Sequence, residues 1–204
     1  MIKYTLIAIA ILFIGYHSIE VKPLDVVKKA ASQKLDAVDF ARTFLTKTLP
    51  PALEKAMPIQ NLVAALISDK NKAFNELSHA VSIGNVRHFL VKGEGVVSKI
   101  TEDEVVILVP NQNKNLSLRL ATEFIYGNSI RDAAGLFDIK NFTNNSDVNN
   151  IASEINKIIR TEVIPPFKQQ VKVGSKVQFT GALEMNQEHP QTDNLEILPI
   201  SIQL

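Results

Sequence analysis

The sequence changes from a strand-like to a helix-like pattern at Ile125-Tyr126-Gly127-Asn128-Ser129-Ile130-Arg131-Asp132-Ala133-Ala134-Gly135. An apolar run ends at Gly127, and glycine accepts the positive φ that a tight turn needs. Asn128 or Ser129 then provides a side chain able to cap a short helix by hydrogen-bonding to its first free backbone amides. The stretch therefore predicts a tight turn followed directly by the start of a helix.

Two candidate site elements lie in or near this turn. Arg131 and Asp132 are adjacent; the guanidinium either grips a carboxylate, phosphate or sugar diol of a ligand, or ties the loop to neighbouring carbonyl groups. Ion pairs near turns more often organise structure, which favours the second role. The polar run Asn141-Phe142-Thr143-Asn144 either caps the next helix, the role we favour, or lines a carbohydrate site. The candidate binding or loop residues are Asn128, Ser129, Arg131, Asp132, Asn141, Phe142 and Asn144, with Tyr126 and Phe137 as candidate stacking rings.

Strand-like segments lie on both sides of this region. Runs rich in β-branched and aromatic residues with period-2 alternation indicate strands, and they occupy 86–100, 105–109, 116–126, 171–185 and 195–202, with a helix at about 146–164 that Pro165-Pro166 should end. Three strands, a helix and two strands is the order of the five-stranded OB barrel, and Gly93, Gly95 and Gly181 suit its bulges or bends. We expect an α+β fold with an OB-like barrel; the competing fold is an antiparallel sheet with helices on one face.

The N-terminal part is predicted to be an anchor and a helical neck. Residues 1–16 place one lysine before an apolar run that is short for a bilayer span. At residues 1–20 we expect an uncleaved signal anchor as the first choice and a signal peptide cleaved near Ser18 as the second. The alternative is a buried helix of a cytoplasmic protein. Apolar residues at helical spacing follow, interrupted by Pro50-Pro51, so residues 21–84 should be helices that pack on a domain spanning 85–204.

Composition excludes several kinds of chemistry. The 204 residues carry a net charge of +1 and contain no cysteine, which disfavours polyanion binding and excludes disulfides, thiolate metal sites and a lipidated cysteine among these residues. No dinucleotide, phosphate-loop or hydrolase motif occurs. His79 and His88 flank the change from helix to strands and approach each other in one interpretation, but structural histidines are favoured. We predict no cofactor and no metal.

The sequence resembles a bacterial family of predicted periplasmic lipoproteins of unknown function. The resemblance is carried by 91–97 (VKGEGVV), 129–133 (SIRDA) with 142–144 (FTN), and 177–182 (VQFTGA). In the family pattern, glutamine is usual where Asn145 stands here, and Asn156 matches the family's helical asparagine. The resemblance implies an exported, membrane-tethered protein, often encoded near ABC-type sugar importers.

From these observations we expect a non-enzymatic, extracytoplasmic binding or accessory protein held at the membrane by residues 1–20. Its ligand is unknown, the expected partners are the inner membrane and components of an ABC transporter, and nucleic acid is not expected. Two alternatives stay open. One is a nucleic-acid-binding OB barrel, which would need a basic groove with stacking rings. The other is an envelope glycan hydrolase, which would need carboxylates such as Glu94, Glu123 or Asp138 in a common groove.

Overall fold

The computed structural model describes residues 36–81, 84–112 and 114–204. The predicted signal peptide or anchor at 1–20 lies outside the described residues, and so does the beginning of the predicted neck. Residues 36–204 form one compact unit. Among the helices in the described ranges, none combines the length and apolar character needed to cross a bilayer.

Five long strands form the barrel. They are β1 (Val86–Ile100), β2 (Glu104–Val109), β3 (Leu116–Ala121), β4 (Lys176–Asn186) and β5 (Leu195–Gln203). Strand β1 pairs antiparallel with both β2 and β4, β2 pairs antiparallel with β3, β4 pairs antiparallel with β5, and β3 pairs parallel with β5. The β3–β5 ladder contains only the pairs from Leu118 to Leu120, so the barrel is open in part at this seam. The predicted OB-like barrel is confirmed, with a helical segment between β3 and β4 as in that fold.

Four α-helices of the described residues precede the barrel, and the last two share its core. They are α1 (Ala37–Thr43), α2 (Pro50–Glu54), α3 (Ile59–Ser68) and α4 (Lys70–Leu77). Ile59 and Leu62 of α3 and Phe74 of α4 are fully buried in the same apolar cluster as Phe89 of β1. The rings of Phe74 and Phe89 meet edge to face, with centroids 5.3 Å apart, a favourable arrangement for two aromatic quadrupoles.

The helical segment between β3 and β4 is longer than predicted. It comprises α5 (Ser129–Asp132), α6 (Asn145–Ile158) and α7 (Ile164–Gln170), and the π-helical turn Ile159–Val163 joins α6 to α7. The prediction that Pro165-Pro166 ends the helix is therefore wrong. In the π turn the N–H of Ile164 donates to the carbonyl of Ile159, five residues back. This wider turn lets the chain enter the proline pair without the clash that a proline ring makes with the carbonyl four residues earlier.

The other proline pair has the same arrangement. A π-helical turn, Phe44–Thr48, precedes Pro50-Pro51, and the N–H of Leu49 donates to the carbonyl of Phe44 at 2.8 Å. The prolines then occupy the first turn of α2, where a missing N–H leaves no bond unmade. Both proline pairs thus follow a π turn and begin a new helical segment.

Strand β3 ends earlier than predicted. We expected it to extend to Tyr126, but its ladder stops at Ala121, opposite Glu104. The N–H groups of Thr122 and Glu123 both donate to the carbonyl of Asp103, at 2.8 and 3.2 Å. These bonds turn the chain out of the sheet, so Tyr126 lies in a loop that leads to α5.

One of the predicted glycine bulges is present. The β4–β5 register shifts between Thr180 and Gly181, and a Cβ on Gly181 would lie only 2.7 Å from the carbonyl oxygen of Leu198. The β1–β4 ladder runs without a shift through Gly93 and Gly95, so no bulge forms there. A Cβ on Gly95 would instead lie 2.7 Å from the carbonyl oxygen of Leu108, which explains why glycine occupies this position.

Candidate functional site

Arg131 and Asp132 form a buried ion pair within α5. Their side chains are 4% and 3% exposed. Arg131 donates from Nε to Oδ1 of Asp132 at 2.6 Å and from Nη2 to Oδ2 at 3.0 Å, while Nη1 donates to the carbonyl of Val148 in α6 at 3.0 Å. Each nitrogen of the guanidinium is therefore engaged by the protein itself. This geometry favours the structural role, in which Arg131 ties the loop to a neighbouring helix.

An aromatic cluster supports the guanidinium. The ring of Phe137 lies 4.6 Å from the Arg131 guanidinium carbon and stacks on Phe142 at 4.8 Å. Phe40 of α1 meets both rings edge to face. Phe137 is only 7% exposed, so of the two predicted stacking rings only Tyr126, which is 61% exposed, is accessible to a ligand.

His88 of β1 lies beside this ion pair. It is 7% exposed; its Nε2 is 3.9 Å from Oδ2 of Asp132, and its Nδ1 is 3.8 Å from Oε2 of Glu184. Burial lowers the pKa of His88 below its usual value, whereas Asp132 and Glu184 raise it and Arg131 lowers it to smaller extents. The neutral imidazole is thus favoured at neutral pH. Nδ1 is buried, and no hydrogen-bond partner for it exists within the described protein.

Ser129 is connected to the same cluster through Glu184. Its hydroxyl donates to Oε2 of Glu184 at 2.8 Å. Glu184 is in β4 and is the cross-strand partner of His88 in the β1–β4 ladder. The serine hydroxyl is therefore held by a carboxylate rather than by the imidazole, which is not the arrangement that activates a serine nucleophile.

The predicted polar residues near the next helix act mainly at its start. Asn144 caps α6, as we favoured: its Oδ1 accepts from the N–H of Asp147 at 2.8 Å. Asn141 ends a short 3₁₀ turn and is exposed. Asn128 stands at the N-cap position of α5, but its side chain makes no capping bond, so it is free to face a neighbouring pocket.

A pocket of ≈ 480 Å³ opens at this cluster, and we call it the histidine pocket. Its polar lining comes from β1, β4, the 127–132 turn and α6. The polar lining residues are His88, Asn128, Arg131, Asp132, Asn145, Asn149 and Glu184. The pocket therefore combines amides, carboxylates and one neutral imidazole.

A smaller pocket of ≈ 280 Å³, the tyrosine pocket, lies next to it. It shares Gly127, Asn128 and Asn149 with the histidine pocket and continues along α6 past Ser153 to Tyr126. At its far end, the guanidinium carbon of Arg160 lies 4.7 Å from the centroid of the Tyr126 ring.

Sequence reasoning identified part of this site. Of the predicted residues, Asn128, Arg131 and Asp132 line the histidine pocket, Ser129 supports it through Glu184, and Tyr126 lines the tyrosine pocket. Asn141, Phe142 and Asn144 line neither pocket.

His88, Glu184 and Asn149 were missed as pocket residues. The backbones of His79 and His88 exchange two hydrogen bonds, at 2.8 and 2.9 Å, so the two histidines do approach each other. Glu184 follows β-strand alternation as an ordinary outward residue, and nothing in the sequence links it to His88. Glu184 comes next to His88 only through the pairing of β1 with β4, which is visible in the folded structure but not in the sequence.

The carboxylates considered for glycan hydrolysis lie apart. Glu94 accepts from Gln178 at a separate cavity of ≈ 380 Å³ beside the barrel. Glu123 lies near Lys168, and Asp138 caps the 3₁₀ turn before α6. Hydrolysis of a glycosidic bond needs two carboxylates flanking one bond, and these three do not share a groove.

No cluster of three or more His, Asp or Glu side chains suited to a metal ion exists in the part of the chain that the structure describes. Arg131 and Asp132 neutralise each other, whereas Glu184, whose side chain is 54% exposed, adds one carboxylate to the amides and hydroxyls that line the pockets. The arrangement is suited to hydrogen-bonding a small polar molecule.

Comparison with known proteins agrees with the fold and with the sequence resemblance. Residues 9–203 match the model of a family described as "Predicted periplasmic lipoprotein (DUF2291)". A solved OB-fold protein from Thermotoga maritima MSB8 is 24% identical, and the match covers 83% of this chain and 98% of that protein with a TM-score of 0.73. At this identity the likeness shows the fold alone. No curated protein matches the chain.

Proposed function

The chain belongs to the family of predicted periplasmic lipoproteins, which places it at the extracytoplasmic face of the membrane, and we propose that it acts there as a non-enzymatic binding protein. The histidine pocket is its binding site. The ligand is a small, uncharged molecule rich in hydroxyl groups, and the protein works as an accessory to a membrane transporter.

The observation that carries this proposal is the unpaired Nδ1 of His88. Buried polar atoms in native proteins nearly always have a hydrogen-bond partner, because an unpaired one costs about 1–3 kcal/mol. Nδ1 is buried without a protein partner in a residue that lines the pocket. Because Nδ1 is fully buried, side chains at the pocket must shift before a ligand hydroxyl can reach it and supply the missing partner.

The remaining lining supports an uncharged ligand. Arg131 is neutralised by Asp132, and three of its five N–H groups are bonded to Asp132 and Val148, so it is a poor partner for a carboxylate or phosphate. Asn128, Asn145 and Asn149 each present a donor and an acceptor in one group, which matches a hydroxyl that both donates and accepts. A pocket of ≈ 480 Å³ also lies within the ~300–1,000 Å³ range of small-molecule sites.

The same features support a non-enzymatic role without nucleic acid as a partner. The hydroxyl of Ser129 is bonded to Glu184, so the site offers no serine paired with a base for nucleophilic attack. The chain's net charge of +1 provides little of the phosphate neutralisation on which nucleic-acid affinity depends.

The role beside a transporter rests on the family resemblance, which implies genes close to ABC-type sugar importers. In this proposal residues 1–20 hold the protein at the inner membrane. Crosslinking in intact cells, followed by detergent extraction and identification of the crosslinked chains, tests this part. Recovery of transporter subunits is expected, and crosslinks confined to this chain itself would contradict it.

Ligand binding is tested with the full-length protein in detergent, using saturation-transfer NMR with glucose, xylose, glycerol and inositol. We expect transfer to at least one of these compounds and its loss in Asn149→Ala, a change at an exposed helical position that leaves the core intact. Gln178→Ala, at the separate barrel cavity, is the matched control and should bind normally. Absence of transfer to all four compounds, or equal loss in both variants, would refute the proposed site.

A further inference from the structure

We propose that the ligand consists of two linked units, as in a neutral disaccharide, with one unit in the histidine pocket and the second stacked on Tyr126. This inference rests on the proposed binding function and extends it to a ligand class. It follows from the position of the two pockets beside each other.

The histidine and tyrosine pockets are adjacent. Both are lined by Gly127, Asn128 and Asn149, so these three residues lie between the two pockets. In the proposed complex, a ligand with one unit in each pocket passes over the surface of these residues to reach Tyr126.

The Tyr126 ring is held in place before any ligand arrives. Arg160 packs on the ring while its Nη1 donates to the carbonyl of Ile125. Asn156, which is 3% exposed, donates to the carbonyl of Gly127 at 2.8 Å. The residues on both sides of Tyr126 are thus fixed to α6 and to the π turn that follows it, and a fixed aromatic surface loses little conformational entropy on binding.

The exposure of Tyr126 has no structural explanation within the described residues. One side of the Tyr126 ring packs on Arg160, yet Tyr126 is still 61% exposed, at the tyrosine pocket. The face of an aromatic ring carries partial negative charge, and the C–H groups of a sugar ring carry partial positive charge. The side chains of Asn149 and Ser153 line the same pocket and can bond hydroxyl groups.

The chain contains a matched control for this ring. Phe124 is 60% exposed, two residues before Tyr126 in the same loop, and it lines neither pocket. A general effect of removing an exposed aromatic ring would appear in Phe124→Ala as well. An effect through stacking would appear only in Tyr126→Ala and would be rescued by Tyr126→Phe.

The test is isothermal titration calorimetry of the full-length protein in detergent with glucose, maltose, cellobiose, sucrose and uridine. We expect at least one disaccharide to bind more tightly than glucose. Tyr126→Ala should weaken that disaccharide roughly 2- to 12-fold, the range for one aromatic contact, while glucose binding stays unchanged. Tyr126→Phe and Phe124→Ala should bind as the wild type does.

The outcomes separate this inference from the proposed function. If glucose binds as tightly as every disaccharide and Tyr126→Ala changes neither, the two-unit ligand is refuted while the binding function stands. Equal weakening of glucose and disaccharide in Tyr126→Ala would also refute it, because the ring would then belong to a single site. Tight binding of uridine alone would replace the disaccharide with a nucleoside. If none of the five compounds binds, both proposals fail.

Discussion

Replacement of Arg131 by lysine tests whether the guanidinium is the structural centre of the site. Lysine keeps the positive charge but cannot bond Asp132 through two nitrogens and Val148 through a third, as Arg131 does. Hydrogen bonds that involve a charged group contribute roughly 1.5–3 kcal/mol each. Loss of one bond to Asp132 and of the bond to Val148 should therefore lower the free energy of unfolding by about 3–6 kcal/mol.

The measurement is urea unfolding of the full-length protein in detergent, followed by far-ultraviolet circular dichroism. Arg42→Lys is the control, because Arg42 makes the same two-nitrogen contact with Glu162, at 2.8 and 3.1 Å, but with both side chains about half exposed. Water competes for that pair, so the control should unfold almost as the wild type does. Equal stability of Arg131→Lys and wild type, with unchanged denaturant dependence, would refute the structural role and restore a ligand-gripping one.

Three further predictions concern pH, the barrel bulge and the cap of α6. Because burial lowers the pKa of His88, the unfolding temperature should be constant above pH ~6.5, the usual histidine value. It should fall as the pH decreases from there to the lowered pKa, since only the unfolded chain takes up a proton in that window. The variant His88→Gln should show a smaller fall, which leaves the part due to His79, whose pKa burial also lowers. An unchanged fall in His88→Gln would contradict the assignment to His88. Gly181→Ala should destabilise the barrel by about 1–3 kcal/mol through overpacking against Ile197 and Leu198, measured by urea unfolding; a wild-type midpoint would show that the bulge accommodates a methyl group. Asn144→Ala should cost about 1 kcal/mol as a lost helix cap, whereas Asn141→Ala, at an exposed position in the 3₁₀ turn, should cost little, and equal effects of the two would argue against the cap.

Much of the fold is predictable from local patterns. Period-2 alternation located β1, β2 and β5 to within one or two residues, and their order around a helix indicated the OB barrel. The failures have local causes that composition does not reveal. Strand β3 stops at Ala121 because the amides after it bond to Asp103, and the helix passes Pro165-Pro166 because a π turn precedes the pair.

The site was only partly predictable. Arg131 and Asp132 stood out as adjacent opposite charges in a turn, and Asn144 stood out as a cap before a helix. His88 was noticed only for its possible approach to His79, and Glu184 did not stand out, because it is an ordinary residue of its own strand. They become partners only through the β1–β4 register.

The sequence by itself determined which segments form strands and helices and where the polar turn lies, because these depend on the spacing of apolar residues and on caps within a few positions. The tertiary structure alone decided that β1, β4, the turn and α6 line one pocket, with a second pocket beside it. A shift of one residue in the β1–β4 pairing would turn His88 to the opposite face of the sheet. Register between distant strands depends on the packing of the whole core, and no local stretch of sequence contains that information.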